Sequence, residues 1–205
     1  MTRTDTRDDT HTARTLERQA LFGTGLAVPS TWDIVDVREG DHDGLPVTVV
    51  RRQPDGYRLG GPHATVVADR DGRLLGYTCL RANDPASLLD RAESRRAAFD
   101  LIRRAAGAYA DDLAVQWIKR HDETVTEADG SVRAVTGMKV KTRHADGRYT
   151  WAVVGPGGTV LTYERGISWD AARARRGTSM WLHDKWIAAH DGLGPQPEPP
   201  YATAH

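Results

Sequence analysis

Apolar and polar residues alternate over much of the chain, the period-two signature of half-buried strands. The alternation predicts strands at 31–39, 45–53, 63–69 and 73–80, and again at 113–126, 131–144, 148–155 and 159–165. Their Val, Ile, Thr, Trp and Tyr content suits a pleated surface. Asp-Gly pairs, which accept the positive φ of tight hairpin turns, punctuate these runs. They stand at Asp43-Gly44, Asp55-Gly56, Asp71-Gly72, Asp129-Gly130 and Asp146-Gly147, with Gly157-Gly158 as a sixth equivalent. The outer turns of each set of three lie 28 residues apart; between the sets the outer turns are offset by 86 and only the middle turn slides, by 91.

That offset aligns His63–Ala68 with Tyr149–Val154 and Arg73–Thr78 with Thr159–Glu164. It matches Val67 to Val153, Gly72 to Gly158, Leu75 to Leu161 and Tyr77 to Tyr163. Period-3.6 patterns precede each strand set. Leu88, Ala92, Phe99, Ile102, Ala106 and Tyr109 recur at helical spacing behind an Asp84 cap and Pro85 in the first turn. A shorter helix is expected over 12–22, ended by Gly23. The expected fold is α+β: an internal duplication of a helix plus a four-stranded antiparallel meander, with an extra C-terminal helix. The boundaries are a disordered stretch at 1–10, repeats at 11–83 and 84–166, a C-terminal helix at 167–191 and a Pro-rich, poorly packed tail at 192–205.

The paired hairpins ADRDGRLLGY and VGPGGTVLTY, each with a helix ahead of its meander, resemble the PepSY-type (cystatin-like) domains, above all the tandem bacterial kind. The resemblance covers about residues 12–165 at the level of plan and implies the fold of each half. Its relatives are commonly exported and have been linked to restraining metallopeptidases. This chain departs from them in opening on MTRTDTRDDTHTARTLERQA, which has no apolar core, so a cytoplasmic location is expected.

Charge narrows the partners. With 28 basic and 28 acidic residues the chain lacks the positive bias of a nucleic-acid binder. No apolar stretch approaches the roughly 20 residues that span a bilayer. The lone Cys79 reads as a small core residue, and no dense His/carboxylate motif signals a metal. His183 and His190 lie about two helical turns apart, too far for one ion. Gly23-Thr-Gly25 and Gly155-Pro-Gly-Gly158 lack the phosphate-loop pattern. No cofactor is expected.

Chemistry-bearing residues gather in the second half. Alternation puts Trp117, Lys119 and His121 on one strand face, Tyr149 and Trp151 on another, and Leu161, Tyr163 and Arg165 on a third. If these faces coincide, indoles and phenols supply contact area while Lys119 or His121 fixes a polar group, giving a small-molecule or peptide site. The alternative is that the rings pack against the helix stripe. A second function class is a cofactor-independent enzyme (a cyclase, isomerase or dehydratase), with His121, Lys119, Tyr163 and His63 as the acid–base candidates. A third is an interaction or inhibitor module. The tryptophans of the last helix point to core packing or to a homodimer through that helix.

Overall fold

The computed structural model describes residues 6–204 and is α+β. Eight strands form one antiparallel sheet: β1 (Asp33–His42), β2 (Leu45–Gln53), β3 (His63–Asp69), β4 (Leu74–Leu80), β5 (Leu113–Thr126), β6 (Val132–His144), β7 (Tyr149–Val154) and β8 (Val160–Ile167). Their spatial order is β1-β2-β3-β4-β8-β7-β6-β5, so β4 and β8 meet at the centre. There Tyr77 faces Tyr163, flanked by the pairs Gly76–Glu164 and Thr78–Thr162. The Asp43-Gly44 turn is the two-residue hairpin, with positive φ at both residues. At the turn after β3 the Asp69 carboxylate accepts from the Asp71 and Arg73 amides, a side-chain turn.

One sheet face carries two helices, α1 (Thr6–Leu21) against β1–β3 and α2 (Arg91–Ala106) against β5–β7. Helix α1 buries Ala13, Glu17 and Ala20, one stripe at helical spacing, and Glu17 anchors it to Arg52 of β2. Helix α2 buries Ser94, Ala98, Leu101 and Ile102. These pack with Val66, Tyr77, Val140, Ala152 and Tyr163 into the main core.

Several boundaries differ from expectation. Of the stretch expected to be disordered, residues 1–5 lie outside the described residues, and residues 6–10 belong to α1. Asp84 and Pro85 open only a single 3-10 turn. Helix α2 starts at Arg91 because Asp90 and Glu93 form a reciprocal capping box, satisfying two amides that Asp84 cannot. Phe99 is only partly buried and lies under the Arg95 guanidinium.

The helix expected at 167–191 shrinks to α3 (Asp184–His190). Residues ahead of it form a small hairpin, β9 (Trp169–Asp170) with β10 (Arg175–Arg176). Helix propensity in this Ala- and Arg-rich run loses to tertiary pairing, since Arg176 is drawn into a buried ion pair. The Pro-rich tail is not loose either. Ala202 is buried, the Pro200 carbonyl accepts from the Arg176 amide, and Arg175 bonds Thr203.

Candidate functional site

The sheet face away from α1 and α2 is covered unevenly. Over β2–β4, Val47, Val49, Val67 and Leu75 lie beneath Met180, Trp181, Leu182, Trp186, Ile187 and Ala202. The indoles of the last helical region are thereby spent inside the chain, which removes the apolar surface a homodimer would use. Over β5–β7 the same face carries polar and aromatic side chains.

Register places them. Trp117 stands opposite Lys141, Lys119 opposite Lys139, and Lys141 opposite Trp151; Tyr149 shares that face two residues before Trp151. His121 and Glu123 continue along β5, and the His121 Nε2 donates to the Glu123 carboxylate over 2.9 Å. Five of the six residues named from sequence as a binding set (Trp117, Lys119, His121, Tyr149 and Trp151) therefore share one face.

Tyr163 does not join them. Bulges in the β7–β8 pairing, one of them between Val153 and Val154, break the alternation, so Leu161 and Tyr163 point to opposite sides. Tyr163 is fully buried under the helices, where burial pushes its phenol pKa up. It takes no part in either the binding or the acid–base set.

Trp117 and Trp151 also do not pack on the helix stripe. Instead the rings surround ammonium groups. Lys141 Nζ lies 4.2 Å from the Tyr149 ring centre, 5.6 Å from Trp169, 5.8 Å from Trp117 and 6.0 Å from Trp151. Lys139 Nζ lies 4.2 Å above Trp151, and Lys119 5.7 Å from Trp117. Cation–π attraction holds each charge over an indole or phenol face. Burial lowers the pKa of Lys139 and Lys141; for Lys139 the nearby Arg176 and Lys141 add to this while Glu164 and Glu123 oppose it.

Glu164 forms the floor beside Trp151. Its carboxylate accepts from Trp151 Nε1 and His183 Nε2, each at 3.1 Å, and lies 2.5 Å from Arg176 Nη1, an ion pair off the ideal hydrogen-bond direction. Burial would push this carboxyl up, but Arg176, His183 and Lys139 together hold it well below the usual range.

Next to this wall opens a cleft of about 470 Å³, lined by His63, Glu123, His183, Asp184 and Tyr201 among others. His63 Nδ1 donates to the Gly61 carbonyl at 2.9 Å, which leaves Nε2 as a free acceptor, and Nε2 has no partner among the described residues. Burial lowers the His63 pKa, with Asp184 opposing and Arg51 assisting. Arg51 grips Asp184 through both Nη atoms, at 2.7 and 3.0 Å, and the Gly60 amide adds a third bond. Tyr201 packs edge-on to His183, so the tail helps wall the cleft. A larger cleft of about 560 Å³ lies between α1 and β1, but its carboxylates are engaged, Asp36 by Arg38 and Glu39 by Thr48.

Sequence reasoning missed Lys139, Lys141, Glu123, Glu164, Arg176 and His183 as site members. The β6–β7 hairpin register carried a signal for the first two, since Asp146-Gly147 sets Lys141 across from Trp151. His190 stacks on Trp186 at 5.1 Å, remote from His183's partner Glu164. Among the described residues no group of three or more His, Cys, Asp or Glu is arranged to hold a metal ion, and no helix is long and apolar enough to cross a membrane. No family model, curated protein or solved structure matches the chain.

Proposed function

We propose that this protein binds a small, ring-bearing organic anion on the face formed by β5–β7. The observation that carries the reading is the set Lys119, Lys139 and Lys141 beside Trp117, Tyr149 and Trp151. None of these ammonium groups lies within ion-pair distance of a carboxylate among the described residues, so the site is short of negative charge. A carboxylate or phosphate would supply it, and a ring would pack against the partly accessible Trp117 and Tyr149 side chains. Titration of intrinsic tryptophan fluorescence with phenylacetate tests this. Saturable quenching is expected, weakened about tenfold by Lys141→Met, with benzylamine inert. Absence of a response up to millimolar phenylacetate, or indifference to Lys141→Met, overturns the reading.

One observation favours a second reading, a cofactor-independent isomerase or dehydratase. The free lone pair of His63 Nε2, in a cleft shared with Glu123 and His183, suits a general base. Deuterium exchange into a bound carbon acid, lost in His63→Gln, is its test.

We also read the two halves as copies of one helix-plus-meander unit, of the plan found in PepSY-type domains. Support comes from the centre of the sheet. The 86-residue offset carries Tyr77 to its own partner Tyr163 and exchanges the flanking pairs, 76 with 164 and 78 with 162. That is the pairing a two-fold axis between equivalent strands requires.

A further inference from the structure

We infer that Lys139 is an amine nucleophile that condenses with the carbonyl group of a 2-oxo acid held on this face; the inference rests on the ligand-binding reading above. The chain contains four lysines against twenty-four arginines. Three of the four, Lys119, Lys139 and Lys141, stand together on β5–β6, and the fourth, Lys185, lines the adjoining cleft. Wherever this chain needs a permanent cation in a carboxylate pair it uses arginine, as at Arg51, Arg52 and Arg176. Arginine cannot surrender its proton; lysine can, and it then carries a lone pair.

Lys139 is the best placed of the four. Its amine lies over the Trp151 indole, and the Arg176 guanidinium lies 5.6 Å from the same ring. Glu164, the carboxylate facing it, is already engaged by Arg176, His183 and Trp151. Lys141 and Arg176 face it as like charges, and Glu123 as a more distant counter-charge tied to His121. Burial among cations lowers its pKa, which raises the fraction of free amine near neutral pH. Lys119 and Lys141 remain to receive the ligand's carboxylate.

The step balances without a further reagent. The nitrogen lone pair attacks the carbonyl carbon, and the carbon–oxygen bond breaks. The oxygen leaves as water with both amine protons, and a carbon–nitrogen double bond remains.

The test is reductive trapping. The full-length protein is incubated with phenylglyoxylate and sodium cyanoborohydride at neutral pH, and the adduct is mapped by peptide mass spectrometry. Labelling at Lys139 at least tenfold above each of Lys119, Lys141 and Lys185 is expected, with protection by excess phenylacetate. Lys139→Arg should abolish the adduct. Labelling spread over the four lysines in order of exposure overturns the inference, even where phenylacetate binds. Protection of the wild-type site keeps the test decisive if Lys139→Arg does not fold. Failure of phenylacetate to bind is a separate result and removes the ligand reading itself.

Discussion

Glu164 and Arg176 form an ion pair of 2.5 Å whose two side chains are almost wholly withdrawn from solvent. Arg176 also donates to the Thr178 and Ser179 carbonyls, so one guanidinium joins the centre of the sheet to the segment leading into α3. Truncating one member strands the other charge. Arg176→Ala is therefore expected to destabilise the fold by roughly 3–5 kcal/mol, read from urea unfolding. A loss below about 1 kcal/mol would mean that water already screens the pair.

Stability should fall on mild acidification. Burial holds the His63 and His42 imidazoles below their ordinary pKa, while the unfolded chain takes up protons near 6.5. Between those values the unfolded state binds more protons, so stability declines as pH drops below about 6.5 and levels once the native rings also protonate. The depressed carboxyls of Glu164, Glu123 and Asp184 then add a further loss as pH falls below about 4.5. Urea midpoints from pH 7.5 to 5.5 check the first window. A flat profile there, or one unchanged in His63→Gln with His42→Gln, contradicts it.

The paired tyrosines at the sheet centre should respond differently to loss of their hydroxyls. Tyr77 donates to the Ala27 carbonyl at 2.7 Å, whereas the Tyr163 hydroxyl has no hydrogen-bond partner among the described residues. Tyr77→Phe should lose about 1 kcal/mol, and Tyr163→Phe should be neutral or slightly stabilising. Equal losses in thermal melts would contradict the assignment.

Gly40 on β1 lies beneath Trp181, and a Cβ there would come within 2.6 Å of the indole. Gly40→Ala should destabilise by about 1–3 kcal/mol through overpacking. It should also alter the near-ultraviolet circular dichroism of Trp181 while leaving the far-ultraviolet spectrum unchanged. An unaltered melting temperature would show that the 180–187 segment moves freely over the sheet.

Local patterns made the strands legible. Alternation between Asp-Gly turns located β2, β3 and β5 at their observed residues and β4, β6, β7 and β8 within two, because strand and turn preferences act over a few neighbouring residues. The same locality failed at Ser168–Arg176, where helix-forming residues pair as β9 and β10. A buried carboxylate on β8 claims Arg176, and nothing near it in the chain announces that partner.

The candidate site divides along the same line. Trp117, Lys119, His121, Tyr149 and Trp151 could be placed on one face because alternation holds between turns. Tyr163 could not, because the bulges in the β7–β8 pairing shift the register between Leu161 and Tyr163. His63, Glu123 and His183 come from three elements and meet only through the fold. By itself the sequence determined the strands, most turns and which residues of one strand share a side, all consequences of short-range sterics. Only the tertiary structure decided which side is covered, which lysines lose their counter-charges and where the cleft opens. Those depend on contacts between segments up to 153 residues apart, such as Arg38 with Asp191.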